Sequence, residues 1–258
     1  MSKFELWAFY SSLELLHKID SPLLTGYIVD LEKKGKELRQ SLYDTQITEH
    51  HLDDLTTARN NTKKDIICRI NPQSPINTSE IDNVIGEGAD EILLPMVRSV
   101  SEVERVLNYI NNRCRLSIML ETNESLSAVE ELNTLPLTRF YVGLNDLAIC
   151  NHRANIFTPM IDGSLELIAR KVNKKFGLAG LTHPSLGAPI PCEVIIRAMK
   201  RHGCHFGILR RSFYRDLNQY DAQEILESLS NHFCHNELDS DLQSQWMSDK
   251  FTISNAAF

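Results

Sequence analysis

Short apolar stretches alternate with longer segments of helical spacing along most of the chain. The apolar stretches are rich in β-branched and aromatic residues and are bounded by polar or turn-forming residues, which is the pattern of buried strands. We therefore predict eight strands. They are FELWAFY (4–10), TGYIVDL (25–31), DIICRI (65–70), DEILLP (90–95), RLSIMLE (115–121), TRFYVGL (138–144), FGLAGL (176–181) and CHFGIL (204–209).

The segments between the strands have the apolar spacing of amphipathic helices. In residues 101–113 the apolar side chains recur at intervals of three and four, and residues 191–203 repeat this pattern and end at Gly203, a suitable C-cap. Strands that alternate with helices pair in parallel through right-handed crossovers. Eight such units predict an α/β fold, a single closed (β/α)8 TIM barrel, with an open doubly wound sheet as the alternative.

The pattern changes after about residue 235. Residues 236–258 are mostly polar, with isolated Trp246, Met247 and Phe251. We interpret residues 1–235 as the barrel domain and residues 236–258 as a C-terminal tail. Because termini are commonly disordered unless they dock, the tail either lies on the surface without a role or packs on a neighbouring subunit.

Composition narrows the class of protein. The chain has 258 residues, 42% of them hydrophobic and 24% charged, which is typical of soluble globular proteins. A net charge of −7 argues against nucleic-acid binding, and no apolar run is long enough for a membrane span or a secretory leader. Six scattered cysteines suit reduced thiols. We expect a cytoplasmic protein with a small-molecule substrate.

Polar residues follow nearly every predicted strand. Since the active site of a barrel lies at the carboxyl ends of its strands, these positions are the candidate site. They are Asp30 and Glu32, Arg69 and Asn71, Pro95, Glu121, Asn145 and Asp146, Thr182 and His183, and Arg210 and Arg211.

Glu121 and Asp146 follow neighbouring strands and have no cysteine or histidine ligands beside them in the sequence. Such a carboxylate pair suits a hard cation, Mg²⁺ or Mn²⁺, completed by water and substrate oxygens. Arg69 can bind a substrate carboxylate through its planar fork. Together these groups would hold a 2-oxo acid and stabilise its enolate. The alternative is that both acids are helix N-caps and Arg69 is part of a structural ion pair.

Six segments carry a resemblance to a known family. They are YIVDLEKKGK, IICRIN, EILLPMV, IMLET, FYVGLNDLA and LTHPSLGAPI. In this order and at these intervals they resemble the HpcH/HpaI aldolase and citrate lyase β-subunit family of the pyruvate/phosphoenolpyruvate barrel superfamily, over roughly residues 4–215.

The resemblance implies a metal-dependent aldol cleavage or condensation through a pyruvate or acetyl enolate. It implies Glu121 and Asp146 as ligands of Mg²⁺ or another divalent cation, and Arg69 as the binder of the substrate carboxylate. Asp30 and Glu32 are then candidate catalytic residues. Candidate substrate-binding residues are Arg69, Pro95, Asn145 and His183. The family often forms trimers or hexamers, so we expect a homo-oligomer.

The sequence departs from the family beside the proton-transfer residues. Lys33 follows Glu32 where the citrate lyase branch has an acid, and the histidine base of the hydroxy-acid aldolase branch is missing at this position. Two alternatives therefore stay open: a coenzyme A thioester lyase or hydrolase, and a non-catalytic binding barrel. We also predict that His50 and His51 lie on a solvated helix. Arg210, Arg211 and Arg215 form either a phosphate site or a surface ion-pair cluster.

Overall fold

The computed structural model describes residues 3–33, 50–234 and 242–256. Its eight strands pair in parallel, in sequence order, and close into a barrel in which β8 pairs with β1. This confirms the predicted (β/α)8 fold and all eight strands. The strands are β1 (Glu5–Phe9), β2 (Leu24–Asp30), β3 (Asp65–Arg69), β4 (Glu91–Leu94), β5 (Arg115–Leu120), β6 (Arg139–Val142), β7 (Lys175–Leu181) and β8 (Phe206–Leu209).

The helices of the described ranges connect or follow these strands, and we number them in chain order. They are α1 (Leu13–Ile19), α2 (Leu52–Asn61), α3 (Thr78–Gly86), α4 (Val100–Ile110), α5 (Asn123–Ser127), α6 (Val129–Thr134), α7 (Leu144–Cys150), α8 (Ser164–Lys171), α9 (Cys192–Arg201), α10 (Phe213–Asp216), α11 (Ala222–Cys234) and α12 (Leu242–Ser254). A short 3₁₀ helix spans Thr158–Met160. None of the described helices is long and apolar enough to cross a membrane.

The larger apolar core lies between the strands and the surrounding helices, and a smaller one fills the barrel interior. Side chains alternate between these two cores because successive residues of a strand face opposite sides of the sheet. The residues of the inner core are Trp7, Ile28, Ile67, Leu93, Met119, Phe206 and Ile208, with Phe9, Tyr141 and Ala179 packed against them.

The amino ends of the strands close one end of the barrel with a buried ionic network. Arg139 Nε donates to Glu91 Oε1 at 2.9 Å, and its guanidinium lies 4.7 Å from the ring centroid of Trp7. Arg139 also pairs with Glu5. Paired charges and ring contacts therefore fill this layer, and the opposite end of the barrel remains the place for a site.

The C-terminal helix α12 packs against α9. Arg197 of α9 forms a bidentate ion pair with Asp249, at 2.8 and 2.7 Å, and Trp246 is buried. Met247 and Phe251, by contrast, are 61% and 72% exposed. The docking of residues 236–258 on a neighbouring subunit stays a prediction, as does the division at residue 235.

Candidate active site at the carboxyl ends of the strands

The strand register brings three of the predicted residues to one place. Asp30, Arg69 and Glu121 each come two residues after an inward-facing apolar side chain, so they continue the inner face of the barrel at its carboxyl end. All three are buried, as are Glu32 and Asp146. Predictions from separate strands thus converge on one cluster of acids and arginines.

Asp30 joins two arginines from different sides of the barrel. Arg69 Nε donates to Oδ1 and Arg69 Nη2 to Oδ2, both at 2.7 Å, and Arg211 Nη2 also donates to Oδ2. Arg211 in turn lies over the ring of Phe9, 4.7 Å from its centroid. A carboxylate that accepts three charge-assisted hydrogen bonds fixes the orientation of both guanidinium groups.

Glu32 approaches the same arginine from another direction. Its Oε2 lies 3.3 Å from Arg69 Nη1. Burial alone would lower the pKa of Arg69, but the charges of Asp30 and Glu32 outweigh burial and raise that pKa well above its usual value. Lys33, in contrast, is exposed, and its Nζ lies 3.3 Å from His51 Nδ1.

Only one carboxylate oxygen of Glu121 has a hydrogen-bond partner among the described residues. Its Oε1 accepts the backbone N–H of Met96 at 2.7 Å, whereas Oε2 is buried and has no hydrogen-bond partner among the described residues. Met96 directs its N–H there from a left-handed backbone conformation with φ of 53°, which is uncommon for a residue other than glycine. Such strain is typical of functional sites.

Two further carboxylates act on Glu121 electrostatically. Burial raises the pKa of Glu121 to about 8, and the charges of Asp146 and Glu32 act in the same direction, against Arg69 and the Met96 N–H. Buried acids that repel one another and leave an oxygen without a partner match the donor set that Mg²⁺ or Mn²⁺ prefers. The residues present therefore fit a divalent cation held by Glu121 and Asp146.

Neither Glu121 nor Asp146 is a helix N-cap, so the alternative interpretation of these two acids is wrong. The cap of α5 is Thr122, and α7 begins after Gly143 with Asp146 in its first turn. No group of three or more His, Cys, Asp or Glu side chains in the described ranges is arranged to hold a metal ion by itself. A cation here would need water or substrate oxygens beside the two carboxylates, as the sequence predicts.

Gly143 leaves the space that the side chain of Glu121 occupies. The sequence alone does not show this role of Gly143. A Cβ atom on residue 143 would lie 2.5 Å from Glu121 Oε2 and 2.7 Å from its Cβ. Both distances are too short for real contacts, so any larger residue would displace the carboxylate. The G-L-N-D stretch therefore contains both Asp146 and the glycine that leaves space for the carboxylate of Glu121.

The other predicted substrate-binding residues, Pro95, Asn145 and His183, differ from one another in burial and in contacts. Pro95 is buried and directly precedes Met96, and Asn145 is half-buried, with an Oδ1 that has no hydrogen-bond partner among the described residues. His183 lies after β7, where its ring stacks on Tyr220 at 4.2 Å between centroids and Nδ1 is 2.7 Å from Ser185 Oγ. The described contacts of His183 are thus with the rim of the barrel.

The residues that follow β8 form ion pairs. Arg210 Nη2 lies 2.8 Å from Asp216 Oδ2, which also accepts a hydrogen bond from Thr182, while Arg211 pairs with Asp30. Arg215 is exposed. These contacts favour the ion-pair interpretation of the cluster over the phosphate site.

The prediction for His50 was wrong. His50 is buried, and its Nδ1 accepts the backbone N–H of Asp30 at 3.0 Å, whereas His51 is exposed and directly precedes α2. A buried N–H at the end of a strand needs an acceptor, and a distant side chain supplies it here. His50 therefore helps to fix the backbone of Asp30, a residue of the candidate site.

Several solved protein structures are similar to the structure of this chain. No family model matches the chain, and no curated protein matches its sequence. A HpcH/HpaI aldolase/citrate lyase family protein from Burkholderia cenocepacia J2315 matches with a TM-score of 0.65 at 10% identity, over 88% of this chain and 95% of that one.

Two other solved structures match over similar lengths. An HpcH/HpaI aldolase from Desulfitobacterium hafniense DCB-2 has a TM-score of 0.59 at 12% identity, with 87% of this chain and 93% of that one covered. A citrate lyase from Burkholderia xenovorans LB400 has a TM-score of 0.60 at 12% identity, with 98% and 91% covered. These neighbours belong to the family that the sequence motifs resemble, and at such identities they establish the shared barrel fold.

Proposed function

We propose that this protein is a divalent-metal-dependent carbon–carbon lyase of the aldolase type, acting on a 2-oxo acid through a pyruvate-like enolate. The observation that carries the proposal is the buried, unpartnered Oε2 of Glu121, which lies under the electrostatic influence of Asp146 and of Arg69. A cation-binding pair of acids beside an arginine is the arrangement that a keto acid requires. The names of the structural neighbours, aldolase and citrate lyase, support the same class.

Glu121 and Asp146 are the residues that would hold Mg²⁺ or Mn²⁺. When bound, the cation would act as a Lewis acid that stabilises negative charge on an enolate oxygen. Met96 and Gly143 fix the position of Glu121, the first through its N–H and the second through the absence of a side chain. The protein therefore contributes preorganised ligands whose mutual repulsion the cation relieves.

Arg69 would bind the carboxylate of the substrate. Asp30 accepts from Nε and from Nη2, and Nη1 lies near Glu32 and Met119 Sδ, so the guanidinium is held in one orientation and the second N–H of Nη2 would face the substrate. In this proposal Asp30 positions Arg69 and Arg211. Its role as a general base, and a catalytic role of Glu32, stay predictions.

A screen of aldehydes with pyruvate and Mg²⁺, Mn²⁺ or Co²⁺ tests the proposal. We expect an aldol product with at least one metal and none after chelation. The product would also name the acceptor. A protein that binds metal and pyruvate but turns over no aldehyde would instead be the binding barrel that Lys33 suggested, and turnover of a coenzyme A thioester would place it in the other branch.

A further inference from the structure

Tyr141 lies on the inner face of β6, two residues before Gly143, and the proposed function does not use it. It belongs to β6, pairs with Met119 of β5, and packs against the inner core of the barrel. Burial raises the pKa of Tyr141 to about 12, and the charges of Arg69, Glu121 and Arg211 also act on it. Charged side chains from β3 and from the ends of β5 and β8 therefore all act on one phenol.

The hydroxyl of Tyr141 has no protein partner in the part of the chain that the structure describes, although the side chain is half-buried. Two other tyrosines of the barrel use their hydroxyls within the protein. The hydroxyl of Tyr27 donates to the carbonyl of Leu16 at 3.1 Å, and that of Tyr214 donates to the carbonyl of Phe9. The Tyr141 hydroxyl is also not among the buried polar atoms that lack a partner, so it reaches solvent, where an oxygen of a bound ligand could accept its hydrogen bond.

We propose that the Tyr141 hydroxyl is a substrate-binding donor, which forms a hydrogen bond to an anionic oxygen of the bound 2-oxo acid. Tyr141 packs on the inner core opposite Met119, whose Sδ lies 3.5 Å from Arg69 Nη1, and the charges of Arg69 and Arg211 act on its phenol. An anion held by Arg69 would thus also be within the electrostatic surroundings of the Tyr141 O–H group. The inference rests on the proposed function and adds a residue that contacts the substrate.

The position favours an oxygen anion over a neutral or cationic group. Arg69 has the largest electrostatic effect on the phenol, ahead of Glu121, Arg211 and Asp30, and a hydrogen bond from a neutral donor to a charged acceptor is stronger than one between neutral groups. The acids Glu121 and Asp146 define the cation-binding part of the site. Tyr141 and the arginines then define its anion-binding part, so a ligand with carboxylate and keto oxygens would contact both.

Oxalate, a mimic of the pyruvate enolate, is the probe for the test. Calorimetry in the presence of saturating Mn²⁺ would compare wild type with Tyr141→Phe, which removes the hydroxyl and keeps the ring. We expect oxalate affinity to fall about 10- to 100-fold, the usual cost of losing a hydrogen bond to a charged group, while Mn²⁺ affinity changes by less than about threefold. Tyr141→Leu serves as a second variant if the first fails to fold.

Tyr27→Phe is the matched control, because it also removes one hydroxyl from a barrel tyrosine, on the outer face of the sheet. It should keep wild-type affinity for oxalate and for Mn²⁺. Equal oxalate binding by wild type and Tyr141→Phe would overturn the inference and leave the proposed function standing. Loss of Mn²⁺ binding in Tyr141→Phe would show a structural role and also overturn it. Failure of metal-loaded wild type to bind oxalate would refute the proposed function itself.

Discussion

Removing the charge of Glu121 should stabilise the metal-free protein, and increasingly so as the pH rises. The pKa of Glu121 is about 8 in the folded chain against an ordinary value of 4.5, mainly because of burial and then because of Asp146 and Glu32. Between these two pH values the unfolded chain has released the proton that the folded chain still holds. Stability therefore falls with rising pH across this window, and the loss is complete above about pH 8.

The size of the effect follows from the shift of the pKa. Each pKa unit corresponds to about 1.4 kcal/mol, so a shift from 4.5 to about 8 costs the wild type up to about 5 kcal/mol at high pH. Between pH 6 and pH 8 the cost grows by about 2 kcal/mol. Glu121→Gln removes this pH-dependent loss of stability and keeps a side-chain oxygen that can accept the Met96 N–H.

Urea unfolding of wild type and Glu121→Gln at pH 6, 7, 8 and 9, with a chelator present, measures the difference. We expect the advantage of the variant to widen by about 2 kcal/mol from pH 6 to pH 8. Glu124→Gln is the control, because it removes a carboxylate that is largely exposed. Parallel pH profiles for wild type and Glu121→Gln would refute the account of Glu121 as a buried acid under repulsion.

Three further predictions concern the metal and the substrate. Saturating Mg²⁺ at about 100 times its dissociation constant should raise the melting temperature of wild type by about 5 °C, and Asp146→Asn should abolish the shift in a thermal denaturation assay. Arg69→Lys should weaken oxalate binding by about tenfold or more with little change in metal affinity, because it keeps the charge but loses the planar fork; equal oxalate affinity in calorimetry would make Arg69 purely structural. Gly143→Ala should lower stability by about 1–3 kcal/mol through overpacking and weaken Mn²⁺ binding, and unchanged Mn²⁺ affinity would show that Glu121 is not a ligand.

The strands could be predicted because their apolar character is local. Each is a short apolar run, most of them with a polar end, and the alternation of strand and helix leaves few topologies once right-handed crossovers are assumed. The same logic brought Asp30, Arg69 and Glu121 together, since the carboxyl ends of parallel strands meet at one end of a barrel. The sequence could not show which of those side chains form hydrogen bonds or ion pairs with one another.

The missed features depend on contacts between distant parts of the chain. Nothing local marks Met96 as left-handed, or Gly143 as the residue that makes space for a glutamate from the preceding strand. His50 looked like a solvated polar residue, yet it accepts a hydrogen bond from Asp30, twenty residues earlier in the chain. Tyr141 has the sequence context of an ordinary strand aromatic, and only the barrel register places it opposite Met119, whose Sδ accepts a hydrogen bond from Arg69.

Solvent deuterium exchange at the methyl group of pyruvate tests the central claim, metal-dependent enolate formation, most directly. The assay needs no acceptor aldehyde, and proton NMR in D₂O follows it with wild type, pyruvate and Mg²⁺ or Mn²⁺. We predict that the methyl signal decays faster than in protein-free controls, and that chelation or Glu121→Gln returns it to the background rate. Background exchange by a wild-type protein that has been shown to bind both the metal and pyruvate would contradict the claim and leave a barrel that binds its ligand without catalysis.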